Sequence, residues 1–288
     1  MTTAPAPRHR PARVSWLRPA LALCAALLAG CAGQGGGEDR VEGAAVATVE
    51  AGTANFTIAQ TVTGGPTGDQ HVASEGALDF AGGRGRVVVS LEDMGLDGGG
   101  EIETVFEGET IYLRLPEEAG TPTPWVRLVV SDLEGLPGLD QLQDFSSDPS
   151  QSLGFLQGVN GEIEEVGEEV VRDAPTTRYR FIVDLEQAAE AADDEARAYL
   201  EQQIETLGVT EVPTEIWLDD EGRIARQSYV VDLSQGELPD AATEGGELTG
   251  EVATTVEYYD FGAEVDIATP AEDEVTEFAD LLEAAGQD

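Results

Sequence analysis

Few side chains in this sequence could carry covalent chemistry. Its 288 residues hold two cysteines, Cys24 and Cys31, and two histidines, His9 and His71, against 57 carboxylates. Zinc and iron–sulfur sites need several thiolates or imidazoles held together, and a Ser-His-Asp arrangement needs a histidine base beside its nucleophile. Both cysteines and His9 lie within the first 31 residues, so His71 stands alone downstream. It falls at a strand start and reads as an exposed polar residue rather than a general base. The acidic clusters Glu162–Glu169 and Asp219–Glu221 have the residue types for calcium or for paired carboxylates. Neither has the ligand spacing of a calcium-binding hand, and no glycosidase-like pair stands out, so both read as solvated faces. Asn55-Phe56-Thr57 matches the glycosylation sequon and reads as a chance match. The chain is therefore read as non-enzymatic, with no metal and no cofactor.

The remaining reactive group is the Cys31 thiol, and the elements before it say what it is for. Arg8, Arg10, Arg13 and Arg18 form a positive stretch without acids, and Ala20 to Ala29 is an apolar run too short to span a bilayer. The run ends in Leu28-Ala29-Gly30-Cys31, which resembles the bacterial lipobox. That resemblance implies cleavage before Cys31 and a diacylglyceryl group on its sulfur, which would leave no free thiol and no disulfide in the mature chain. The other reading is an ordinary secretory signal with an incidental cysteine. Arg8-His9-Arg10 is not a twin-arginine pair, so the general secretory route is expected. Residues 1–30 are assigned as signal peptide, 31–40 as a lipidated flexible tether and 41–288 as one domain. Ala32 to Gly37 is Gly-rich coil, so the domain would sit close to the outer face of the cytoplasmic membrane.

Charge narrows the partners. The whole chain carries a formal charge of −42, and every basic residue is arginine. Four of the 15 arginines leave with residues 1–30, so 11 face 57 acids, a formal charge of −46. Such a surface is repelled by nucleic acid and by anionic lipid headgroups. No later apolar run approaches membrane-spanning length.

The domain itself reads as strands interrupted twice by helices. Residues 41–51 have helical spacing. Residues 54–62 alternate, with Phe56, Ile58 and Val62 opposite Asn55, Thr57 and Thr61. Strands follow around Val72 to Phe80 and at 86–91, 102–106, 110–115 and 125–130, Glu107-Gly108-Glu109 marking a hairpin. Helices are expected at 136–145 and 148–159, the second opened by Asp148-Pro149-Ser150-Gln151. Strands resume at 163–171 and at 177–185, where Tyr179, Phe181, Val183 and Leu185 alternate with Arg178, Arg180 and Asp184. An amphipathic helix is expected over 193–207 with Gly208 as its stop, then strands at 215–218, 224–233 and 248–261 and a helix at 272–285. Short connections favour an antiparallel meander of about ten or eleven strands, with the helices burying their apolar stripes on its concave face.

Laid out this way, the chain resembles the actinobacterial LppX/LprG-type lipoproteins of the LolA-like superfamily. The residues carrying the resemblance are the Cys31 tetrad, Pro124-Trp125-Val126-Arg127-Leu128, Asp148-Pro149, Glu165 to Val170, Thr177-Arg178-Tyr179-Arg180, Pro213 to Gly222 and Tyr258-Tyr259-Asp260-Phe261-Gly262. The resemblance implies an α+β fold, a curved antiparallel half-barrel closed by helices. It also implies a hydrophobic cavity that takes lipids, acylated glycolipids or acyl chains. The inward positions that would line it are Phe56, Ile58, Phe80, Val89, Phe106, Leu113, Phe155, Leu156, Tyr179, Phe181, Tyr199, Leu200, Trp217 and Tyr229. Periodicity alone fits a filled core equally well. The expected function is a lipid carrier or chaperone, a monomer anchored to the membrane through Cys31. The alternative is a non-catalytic envelope scaffold or sensor acting through its acidic surface.

Overall fold

In a computed structural model of the chain, residues 36–64, 68–92, 100–116, 121–129, 159–192, 197, 200, 201, 204, 208–232 and 250–285 are described, and residues 37–288 form one compact unit. The signal segment, Cys31 and nearly all of the helices expected at 136–145 and 148–159 lie outside them. Val159, expected to end the second of those helices, opens a strand instead.

The first element is helix α1, Gly36–Glu50. It begins inside the segment expected to be tether and five residues ahead of the helix expected at 41–51. Six strands follow: β1 (Thr53–Thr63), β2 (Gln70–Asp79), β3 (Arg84–Ser90), β4 (Glu101–Glu107), β5 (Thr110–Arg114) and β6 (Trp125–Val129). The second group is β7 (Val159–Val171), β8 (Ala174–Asp184), β9 (Glu211–Leu218), β10 (Ile224–Asp232) and β11 (Glu251–Tyr259). Helix α2 (Leu185–Ala191) follows β8 directly, its N-terminus capped by Asp184, whose Oδ1 accepts from the Gln187 backbone N–H at 3.0 Å. Arg197, Leu200, Glu201 and Ile204 are helical, and the chain leaves that helix at Gly208, where φ is +65°.

The twelve strands among the described residues join one sheet in the order β12-β6-β5-β4-β3-β2-β1-β11-β10-β9-β8-β7, where β12 is Val275–Glu277. Two meanders, β1 to β6 and β7 to β11, lie side by side and meet through the antiparallel β1–β11 pair. The order is linear, so the sheet stays open. Strand twist curls a sheet of this width, and the result is the expected half-barrel of α+β class.

Two differences from the sequence reading concern the C-terminus. The helix expected over 272–285 is instead a 3-10 turn at Glu272–Glu274, the short strand β12 and helix α3, Phe278–Ala285. Strand β12 pairs with β6 in parallel, the exception in an otherwise antiparallel sheet, and raises the count to twelve. The opposite edge, β7, is protected differently. Register shifts break its ladder with β8, and exposed Glu162, Glu164, Glu165, Glu168 and Glu169 stud it with charge, both of which discourage further strand addition.

Candidate functional site: the inner face of the sheet

Because side chains alternate along a strand, the registers sort the sheet into two faces. One face takes Ala54, Phe56 and Ile58 on β1, opposite Leu78, Gly76 and Ser74 on β2. It continues through Val87, Phe106, Ile111 and Leu128 in one direction, and through Tyr258, Val256, Ile216, Tyr179 and Phe181 in the other. On β1–β6 and β8–β11 this inner face carries no charged side chain. Glycine permits close approach at two points: a Cβ at Gly76 would overlap the Phe56 ring, and one at Gly85 would overlap the Phe106 ring.

The ends of this face are filled. Val41 and Ala44 of α1, both fully buried, pack with Tyr179, Phe181, Val183, Ile216, Leu218, Ile224, Phe56 and Tyr258, together with Ala188 and Ala189 of α2 and Leu200. Thr48 ties α1 to the sheet: its Oγ1 donates to the Ala44 carbonyl at 2.7 Å and accepts from the Ile224 backbone N–H at 2.9 Å. That N–H sits where the β9–β10 register shifts. At the far end Ile111, Val126 and Leu128 pack with Leu113, Leu115 and the α3 residues Phe278 and Leu281. Between these ends burial is uneven: Thr214, Gln227 and Thr254 are buried, whereas the apolar side chains around them are half-buried. Ile58, Val87, Tyr229, Val231 and Val256 touch the main cluster yet keep part of their surface accessible, as does Val89.

The expected lining residues divide accordingly. Phe56, Phe80, Phe106, Tyr179, Phe181 and Leu200 are buried core, whereas Ile58, Val89, Leu113 and Tyr229 are half-buried on the inner face. Phe155, Leu156 and Tyr199 lie outside the described residues. Trp217 is a correction: it points outward. It follows Ile216 on β9, so alternation turns it away from the helices, and it packs instead with Val171 and Ala225. Its ring lies between the guanidinium groups of Arg178 and Arg226, 5.0 and 5.2 Å away, and its Nε1 donates to Glu169 at 2.8 Å.

That outer face is a lattice of ion pairs. Glu215 accepts from Arg178 at 2.6 Å and Arg180 at 2.8 Å, and Glu257 from Arg226 and Arg172, both at 2.7 Å. Burial pushes both carboxyls upward, but the arginine hydrogen bonds outweigh it and hold them below the ordinary carboxylate range. On the inner side burial raises the phenols of Tyr179 and Tyr229, opposed by Arg40 beside the first and by a hydrogen bond with Thr254 at the second.

The other reactive candidates are structural. His71 Nδ1 lies 3.0 Å from Thr61 Oγ1 on exposed outer positions. Asp219 is buried in the β9–β10 turn, where Oδ1 accepts from the backbone of Glu221 and Arg223 and Oδ2 from Arg223 Nε. Among the described residues no three His, Cys, Asp or Glu side chains converge as a metal site, and no helix is long and apolar enough to cross a membrane.

No family model matches the sequence. Among curated proteins the chain is similar to an uncharacterised 31.2 kDa protein of Streptomyces griseus, 28% identical over 202 residues, covering 66% of this chain. The match spans 60% of that relative's length. The chain is also similar to several solved structures. The lipoprotein LppX of Mycobacterium tuberculosis is 14% identical with a TM-score of 0.43, covering 80% of this chain and 99% of that one. LprF of Mycobacterium bovis is 14% identical at 0.43, covering 83% and 98%. A LolA superfamily protein of Nitrosomonas europaea is 10% identical at 0.32, covering 81% and 97%.

Proposed function

We propose that this chain is a membrane-anchored, non-catalytic carrier that holds the acyl chains of a lipid against the inner face of its sheet. The observation that supports this best is the middle of that face. Ile58, Val87, Tyr229, Val231 and Val256 are apolar and adjoin a buried cluster, yet retain accessible surface, as does Val89. A filled core closes over such side chains, and a solvent face does not stay free of charge across ten strands. A space lined this way suits hydrocarbon, and apolar walls with a few polar groups are what a lipid site requires. The lipidated Cys31 would hold the carrier, as a monomer, at the outer face of the cytoplasmic membrane, where its cargo resides.

Purification from native membranes followed by lipid extraction and mass spectrometry tests the reading. A co-purifying acylated lipid, lost in Ile58→Trp, is the expected result. Protein that carries no lipid, and whose envelope partners respond to salt but not to Ile58→Trp, would replace the carrier with the acidic scaffold. Anchoring is tested separately, since Cys31→Ser should move the protein from the membrane to the soluble fraction.

A further inference from the structure

Polar side chains on the inner face are scattered singly, as at Ser74, Thr104 and Gln227, except along one row. Where β1, β11, β10 and β9 run side by side, Gln60 lies opposite Thr254, Thr254 opposite Tyr229, and Tyr229 opposite Thr214. With neighbouring strands about 4.8 Å apart, these four side chains form a line of roughly 14 Å straight across the sheet. The rows on either side are apolar at the same strands, except for Gln227. Ile58, Val256 and Ile216 lie on one side, and Val62, Val252, Val231 and Val212 on the other.

The members of the row are not equivalent. Thr254 and Thr214 are buried, and Thr214 donates to the Val212 carbonyl at 3.1 Å. Tyr229 is hydrogen-bonded with Thr254. Gln60 is half-buried and makes a single long contact, 3.4 Å from Nε2 to Thr254 Oγ1. A primary amide has two N–H donors and a carbonyl, so whichever way it is turned at least one N–H stays uncommitted. Oε1 has no hydrogen-bond partner among the described residues and is not fully buried, and because an amide's oxygen and nitrogen exchange places on a flip, that end of the side chain is where the N–H₂ would be presented. An amide offered on a largely apolar, charge-free wall is matched by an uncharged acceptor on an apolar ligand. The inward positions of the described strands set no cation beside it for a phosphate or free carboxylate.

Resting on the lipid-carrier reading, we infer that Gln60, at the head of the Gln60–Thr254–Tyr229–Thr214 row, is the subsite for the ester carbonyl of a neutral diacyl lipid. Its N–H donates to the carbonyl while the two chains spread over the valine rows. Hydrocarbon contact supplies most of the affinity and the amide sets which lipid is preferred, because a ligand without the carbonyl leaves the donor unmatched.

The test uses delipidated full-length protein and displacement of a fluorescent acyl probe by two lipids of equal chain length, dipalmitoylglycerol and its dihexadecyl ether analogue. The wild type should bind the diester about five- to tenfold more tightly than the diether, the scale of one hydrogen bond to a neutral group. Gln60→Leu and the near-isosteric Gln60→Met should lose the preference, with the diester weakened and the diether bound at least as tightly as by the wild type, and circular dichroism should confirm the fold of each. Equal affinities in the wild type, or a preference that survives in both variants, would overturn the subsite and leave the carrier reading intact. A wild type that binds neither lipid nor the probe would overturn both.

Discussion

Strand β9 puts two kinds of interior on opposite sides of one backbone. Val212, Thr214, Ile216 and Leu218 are buried beneath the helical layer, while Glu215 and Trp217 point the other way. Trp217 is almost as buried as its inner neighbours, at 5% exposure, but what covers it is a pair of arginines held by Glu169, Glu215 and Glu257. The inner face excludes water with hydrocarbon, and the outer face shields one aromatic ring with paired charge. The consequence concerns function. Around Trp217 the outer face meets its charge internally and offers little to a partner. A charge-free face with accessible apolar side chains is left to bind something.

The sharpest way to break this contrast is at two successive residues. Ile216→Ala empties a fully buried inner site and should cost about 2–5 kcal/mol, read by chemical denaturation. Glu215→Gln next to it removes an outer-face partner and should cost clearly less. Equal losses would mean that the ion-pair lattice is as structural as the hydrocarbon. Next in size is Thr48→Val, which keeps the shape of the α1 contact but strips the Ile224 backbone N–H of its acceptor. A loss of about 1–3 kcal/mol is expected, the cost of a buried donor left unmatched.

Acid separates the faces without mutation. Glu215 and Glu257 titrate lower in the fold than in an unfolded chain. Their stabilising contribution is therefore complete above the ordinary carboxylate range, and it fades as pH falls below that range through the folded values. Thermal melts across that window should steepen their decline in the wild type and flatten in Glu257→Gln. Ile216→Val should shift the curve downward while leaving its slope.

How much of this was legible in the sequence follows from what each signal measures. Alternation placed nearly every strand, and Tyr179 and Phe181 opposite Arg178 and Arg180 read correctly because both faces of β8 are marked by strong residue types. Trp217 is misplaced because an indole's character suggests an inward position, although its parity against Ile216 and Leu218 points outward. Helix α2 carried its signal in Asp184 and Gln187, a cap and its partner, but the seven-residue element was hidden behind the end of β8. Strand β12 was not legible: three residues show no period, and their pairing with β6 is set by the long return of the chain. Gln60 shared the parity of Phe56, Ile58 and Val62, so its polar side chain on an apolar face was visible. That Thr254 and Tyr229 stand in line with it depends on register, which no single strand contains.

The smallest effect is expected where the sheet ends. Strand β12 holds its place through three residue pairs with β6, the contact between Thr123 and Thr276 hydroxyls at 2.6 Å, and the ion pair of Arg127 with Glu277. Both ionic side chains are about two-fifths exposed, at 39% and 44%, so water and salt screen them far more than Glu215 or Glu257. Arg127→Gln should therefore lower the melting temperature slightly in dilute buffer, and the difference should vanish near 1 M salt, where charges about 3 Å apart are already screened. Phe278→Ala, which removes an apolar contact of α3 with Ile111, Val126 and Leu128, should cost more and should not be relieved by salt. If Arg127→Gln proved the worse of the two at high salt, the far end of the inner face would be closed by charge, and the division of labour between the two faces would stop at β6.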